Sequence, residues 1–92
     1  MLGLKDKIIA KKHPWRIIEG EAIIVDVRKS KIIHFNDIGT FIWKYLMKRR
    51  NIKDVISKIS KEYKIQSSSI KKDITEFIGK LIKRGLVEYT KD

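Results

Sequence analysis

Residues able to perform covalent or metal chemistry are scarce in this sequence of 92 residues. It contains no cysteine, which excludes a disulfide framework and a thiolate metal site. The only histidines are His13 and His34, too few for a usual zinc site, and His34 lacks a serine or cysteine partner in an arrangement typical of nucleophilic catalysis. The five glycines are scattered and do not form a phosphate-binding loop. We therefore expect no catalytic residue, metal ion or cofactor, and a binding protein rather than an enzyme.

The charge of the chain points to an acidic partner. Lysine and arginine number 22 against 11 aspartates and glutamates, which leaves a formal charge of +11 and a sequence pI near 10.0. Such a surplus is compatible with nucleic acid, anionic lipid or an acidic peptide, and it concerns association rather than fold. No apolar run approaches the ~20 residues of a membrane span, and the first six residues lack the apolar core of a signal peptide. We therefore expect a cytoplasmic protein without membrane contact.

Three runs rich in β-branched or aromatic residues predict strands in the first half of the chain. They cover residues 15–19, 21–27 and 31–35. Gly20 separates the first two and residues 28–30 separate the last two, and both gaps suit antiparallel hairpins. The expected product is a three-stranded antiparallel meander. Residues 1–14 carry no periodic pattern, so we expect a basic N-terminal arm, mobile at least in isolation, ahead of one domain at residues 15–92.

Three helices are predicted after the strands, giving an α+β fold. Asn36 is suited to cap a helix over residues 37–48, and Asn51 with Asp54 resembles a capping box at the start of the second helix. The third helix follows residues 64–67 and has the strongest periodicity in the chain, and Gly85 supplies a left-handed position after its end. Its apolar residues are Ile70, Ile74, Phe77, Ile78, Leu81 and Ile82.

One candidate function is DNA binding, because three helices beside a small sheet are typical of winged-helix regulators. In the common winged helix the wing hairpin follows the recognition helix. Only residues 87–92 remain after the third helix here, enough for one short strand. The exposed face of that helix also mixes lysines with Asp73 and Glu76 instead of presenting a base-reading surface. A winged-helix-like DNA-binding regulator is therefore the alternative, and nucleic acid is the less favoured partner.

The other candidate function uses the edge of the meander. Edge strands are usually protected by charge, proline or cover. The third strand has a single lysine, no proline, and an Ile32-Ile33 centre. An extended peptide can add to such an edge as a fourth strand, with its side chains in the space between that strand and the third helix. The pattern leaves open whether Ile32 or Ile33 directs its N–H outward, and whether the third helix or a second copy covers the edge.

The order and separation of several segments resemble the PqqD-like proteins. These are recognition elements that hold the leader of a ribosomally synthesised, post-translationally modified peptide (RiPP) while separate enzymes process its core. The resemblance covers about residues 14–88. The matching positions are Arg16, Gly20, residues 22–26, Phe35, Asn36, Ile42, Trp43, residues 51–55, Tyr63, Asp73, Ile74, Phe77, Leu81 and residues 85–87.

This resemblance implies a winged-helix-like fold whose third strand and third helix hold the leader. The partners it implies are a precursor leader peptide, which the charge of the chain predicts to be acidic, and a tailoring enzyme, either a lasso-peptide protease or a radical-SAM enzyme. The implied peptide-binding residues are Lys31, Ile32, Ile33, His34 and Phe35 on the strand and Ile70, Lys71, Ile74, Phe77, Ile78 and Leu81 on the helix.

Overall fold

The order of elements agrees with the α+β prediction and adds strands that the sequence pattern did not predict. The structure is a computed structural model that describes residues 2–92. No helix within this range is long and apolar enough to cross a bilayer. The elements in this range are β1 (Lys7–Ala10), β2 (Trp15–Ile18), β3 (Glu21–Asp26), β4 (Lys31–His34), α1 (Asp37–Tyr45), β5 (Arg50–Asn51), α2 (Ile52–Tyr63), α3 (Ser67–Lys83) and β6 (Val87–Thr90).

Strands β2, β3 and β4 form the predicted antiparallel meander. The turn between β2 and β3 consists of Glu19 and Gly20, both with positive φ, at 50° and 81°. This pair of conformations is that of a type I′ turn, whose twist matches the twist of the flanking strands. Asp26 stabilises the next turn because its Oδ1 accepts the N–H of Lys29 at 3.3 Å. The meander prediction is confirmed.

A second antiparallel sheet has the order β5-β1-β6. Its central strand β1 pairs Ile8 with Arg50 on one side and with Tyr89 on the other, and Ile8 is fully buried. The prediction that residues 1–14 form a mobile arm is therefore wrong for β1; Met1 lies outside the described residues. A four-residue strand is too short to show a period, and its partners lie some 40 and 80 positions away, so no local pattern indicates the pairing.

Asp6 joins the two ends of the chain. Its carboxylate accepts hydrogen bonds from the Tyr89 hydroxyl at 2.6 Å, the Asp92 N–H at 3.0 Å and the Gly3 N–H at 2.8 Å. These bonds lower the pKa of Asp6 from 3.8 to about 2, and the bond from Tyr89 has the largest effect on that pKa. The same contact raises the pKa of Tyr89. Asp6 therefore connects the segment before β1 to β6 and to the segment that follows β6.

The helix caps follow the sequence prediction. Asn36 Oδ1 accepts the Gly39 N–H at 2.9 Å, and Asn51 Oδ1 accepts the Asp54 N–H at 2.7 Å. Helix α1 ends at Tyr45 instead of about residue 48, because the Leu46 carbonyl accepts the N–H of Ala10 from the end of β1. Gly85 has the predicted left-handed conformation, with φ of 73°.

Aromatic rings connect the meander to the helices. Trp43 of α1 is fully buried and lies 6.3 Å from the ring of Trp15 and 5.9 Å from that of Phe35, measured between centroids. The ring of Phe35 in turn contacts Phe77 of α3 at 5.5 Å. Offset and edge-to-face pairs of this kind stabilise by ~0.5–1.5 kcal/mol each beyond their buried area. They hold α1 and α3 against the end of β4.

Candidate functional site

In the described part of the chain, the outer edge of β4 carries backbone groups that are not paired with another strand. Phe35 donates its N–H to Ala22 O of β3 at 3.0 Å, so residue 35 faces β3. In an antiparallel ladder alternate residues direct both backbone groups to the same side. Ile33 therefore also faces β3, whereas Ile32 and His34 direct their N–H and C=O groups outward. Within residues 2–92, β4 pairs with β3 alone.

The side chains of β4 alternate between the core and solvent. Ile33 and Phe35 are buried at 8% and 6% exposure, whereas Ile32 is 74% exposed. His34 is also exposed, and its Nε2 lies 2.8 Å from Glu21 Oε1 on the same sheet face. The edge thus combines free backbone groups with an uncovered isoleucine.

One pocket lies where the end of β4 meets α1 and α3. Its volume is about 300 Å³, and the contact between Phe35 and Phe77 forms part of its wall. Its lining is mainly apolar apart from His34, Asn36 and Asp73. The lining residues are His34, Phe35, Asn36, Ile38, Gly39, Ile42, Asp73, Ile74 and Phe77.

A second pocket of about 350 Å³ lies at the other end of β4, beside the C-terminal end of α3. Lys29 Nζ donates to the Arg84 carbonyl at 3.4 Å and so connects the β3–β4 turn to α3. His34 lines both pockets, and we call the two together the β4 groove. The residues lining this second pocket are Asp26, Lys29, Lys31, Ile32, Ile33, His34 and Arg84.

Thr40 and Gly39 position α1 against β4. The Thr40 hydroxyl accepts a hydrogen bond from the Ala22 N–H at 2.8 Å and donates one to the Phe35 carbonyl at 3.5 Å. It thereby bridges the last residue pair between β3 and the end of β4. A Cβ on Gly39 would lie 3.1 Å from the Cβ of Phe35, closer than most such contacts. The absence of a side chain at this position allows the close approach of helix and strand.

Seven of the sequence-predicted site residues line the β4 groove, and four do not. Ile78 and Leu81 are buried in the core, because the apolar stripe that made α3 recognisable is chiefly its core-facing stripe. Ile70 packs against the core, and Lys71 lines pockets with Leu4 on another side of α3. The seven in the groove are Lys31, Ile32, Ile33, His34, Phe35, Ile74 and Phe77. Their role in binding stays a prediction.

Two groups of residues in the groove have no functional signal in the sequence. Asn36, Ile38 and Gly39 lie at the start of α1, and their residue types indicated a helix start but not a pocket wall. Lys29 and Arg84 are 55 positions apart and meet only through the fold. Within residues 2–92, no three His, Asp or Glu side chains cluster in a way that would hold a metal ion.

The chain is similar to known proteins both in sequence and in fold. No curated protein matches the chain. A solved structure described as TbiB1 in complex with the TbiA(beta) leader peptide is similar in fold, with a TM-score of 0.76 and 18% sequence identity over 87% of this chain and 94% of that chain. The family model described as coenzyme PQQ synthesis protein D (PqqD) matches residues 21–87, from the start of β3 to the start of β6. Because this match spans most of the sequence, the chain belongs to the PqqD family.

Proposed function

We propose that this protein binds the leader of a ribosomally synthesised precursor peptide and presents it to a separate tailoring enzyme. The leader adds as a strand to the outer edge of β4, within the β4 groove. The observation that carries this proposal is the free edge at Ile32 and His34, flanked by two pockets. Family membership and the leader peptide bound to the TbiB1 structure of similar fold support it.

Backbone pairing alone is too weak to account for selective binding. The two outward-facing residues offer four backbone groups, and each hydrogen bond contributes a net ~0.5–1.5 kcal/mol. Association of a flexible peptide costs ~4–15 kcal/mol in lost freedom before any contact contributes. The side chains of the leader must therefore occupy the pockets at the two ends of β4. Strand addition sets the position of the peptide, and the pockets select its sequence.

The protein then acts by concentrating the precursor at its partner. No serine or cysteine lines the β4 groove among the described residues, and its histidine is paired with Glu21. Tethering through a short flexible connection gives an effective concentration of about millimolar. The partner we propose is a lasso-peptide protease or cyclase, or a radical-SAM enzyme. Stimulation of that enzyme should be strong at low precursor, absent at saturating precursor, and absent for a core peptide without its leader.

Amide hydrogen exchange measured by NMR on the wild-type protein tests the binding mode. The probe is the leader of a precursor peptide to be sought among the genes that flank the gene for this chain. Addition of this peptide should slow exchange at Ile32 and His34, whose N–H groups face outward, and leave Ile33 unchanged because it already pairs with β3. Random duplex DNA serves as the comparison ligand. Slowed exchange along α3 without any change at Ile32 and His34, or sequence-selective duplex binding tighter than leader binding, would contradict the proposal.

A further inference from the structure

The two ends of the β4 groove differ in charge. The pocket beside α1 is mainly apolar and includes one acidic residue, Asp73. The pocket beside the C-terminal end of α3 contains Lys29, Lys31 and Arg84. The acid lining that basic end is Asp26, which is buried and accepts the Lys29 N–H.

A third pocket extends the positive charge beyond the groove. It has a volume of about 260 Å³ and shares Asp26, Lys29 and Arg84 with the basic end. It adds the cationic side chains of Lys11, Arg28 and Lys83 together with His13. Cationic side chains gathered in a cleft raise the local concentration of an anionic group more than the same charges spread over a surface.

We propose that the β4 groove recognises a peptide segment in which an apolar side chain precedes an acidic one. This inference rests on the proposed function and specifies the class of peptide. The apolar side chain occupies the pocket at Ile74 and Phe77, where Asp73 disfavours a carboxylate. The acidic side chain occupies the basic end at Lys29, Lys31 and Arg84.

The direction of the added strand determines the order of the two side chains. Strand β4 runs from Lys31 at the basic end to His34 at the apolar end. The meander is antiparallel throughout, and antiparallel pairing is slightly more stable per residue than parallel pairing. An antiparallel peptide therefore enters at the apolar end and leaves at the basic end. Its apolar residue is N-terminal to its acidic residue.

The spacing of the two side chains follows from α3. Phe77 lies seven residues before Arg84, the residue that caps the C-terminal end of α3, which corresponds to about 10 Å at 1.5 Å per residue. An extended peptide covers that distance in about three residues at ~3.4 Å each. Because only alternate side chains of a strand share a face, a separation of two or four residues puts both into the groove. A separation of three residues directs one of the two side chains out of the groove.

Labelled host peptides and the full chain test the inference by fluorescence anisotropy. Each peptide has about twelve residues of threonine and serine with one phenylalanine and one glutamate. Placing the phenylalanine four residues before the glutamate should give the tightest binding. Reversing the order, using a separation of three residues, or replacing glutamate with glutamine should each weaken binding about two- to fivefold, the range expected for an exposed ion pair.

Variants of the protein identify the side chains that distinguish a glutamate peptide from a glutamine peptide. The double change Lys29→Ala and Arg84→Ala should reduce the preference for glutamate over glutamine, measured as the ratio of the two Kd values for the same variant protein. Lys58→Ala with Lys80→Ala removes the same charge outside the three pockets and should preserve the preference. Peptides that bind equally in both orders, yet lose binding to the Ile32→Pro protein, would overturn this inference and retain the proposed function. If no host peptide binds, this inference fails, and the amide exchange experiment with the leader decides the proposed function separately. Peptide binding that is insensitive to Ile32→Pro would contradict both.

Discussion

Replacing Ile32 with proline removes one backbone N–H from the free edge of β4 and leaves the pairing with β3 intact. The outward direction of this N–H follows from the bond between the Phe35 N–H and the Ala22 carbonyl and from the alternation of the ladder. The same change at Ile33 would instead remove a bond to β3 and damage the sheet. Lys31, the residue before the new proline, is already extended, as that position requires.

The expected loss of leader binding is large compared with a typical surface substitution. Removing the donor leaves a carbonyl of the peptide unpaired, which costs ~1–3 kcal/mol including the lost hydrogen bond. This loss corresponds to a ~5- to 140-fold weaker Kd, since ~1.4 kcal/mol is tenfold. Folding should be little affected because the Ile32 N–H faces away from β3, the strand with which β4 pairs within residues 2–92.

Isothermal titration calorimetry with the leader peptide measures this loss, and circular dichroism checks the fold. Ile17→Pro is the matched control on the opposite edge of the meander. The Val25 N–H donates to the Pro14 carbonyl at 2.8 Å, so Ile17 also directs its N–H away from β3. It is exposed, like Ile32. This control should bind the leader with wild-type affinity.

A folded Ile32→Pro protein that binds as tightly as wild type would refute strand addition at β4. Equal losses for Ile32→Pro and Ile17→Pro would also refute it, since proline would then act through the sheet as a whole. If Ile32→Pro does not fold, the amide exchange of Ile32 and His34 in the wild-type protein gives the same information without a substitution.

Three further predictions concern how the fold supports the groove. Thr40→Val leaves the buried Ala22 N–H without an acceptor and should destabilise the protein by ~1–3 kcal/mol in urea unfolding, with weaker leader binding. Because the pKa of Asp6 is lowered to about 2, its contribution to stability is complete above about pH 4 and is lost as the pH falls toward 2. The melting temperature of the Asp6→Asn protein should therefore depend less on pH over that range than the melting temperature of the wild type. Gly79→Ala should stabilise α3 by ~0.5–1 kcal/mol, because the new methyl group meets no described atom within 4 Å. Gly39→Ala should give no such gain, because its methyl group would crowd Phe35 at the end of β4. Equal stabilisation by both changes would contradict the close approach of α1 to β4.

The sequence by itself determined the elements whose signals are local. The β-branched runs predicted the meander, Gly20 predicted its first turn, and Asn36 and Asn51 predicted the starts of two helices. Each of these signals acts over a few residues, since a cap or a turn is stabilised by groups within about one helical turn. Gly85 belongs to the same class, because a left-handed backbone favours glycine whatever the rest of the fold does.

Only the tertiary structure decided how these elements face one another. The pairing of β1 with β5 and β6, the carboxylate of Asp6 between both ends of the chain, and the meeting of Lys29 with Arg84 all join residues remote in sequence. Periodicity identifies a helix and its apolar stripe, but it does not tell which of those residues face the core and which line a groove. Ile78 is in the core and Phe77 is in the groove because the position of α3 against β4 is set by packing across the whole domain.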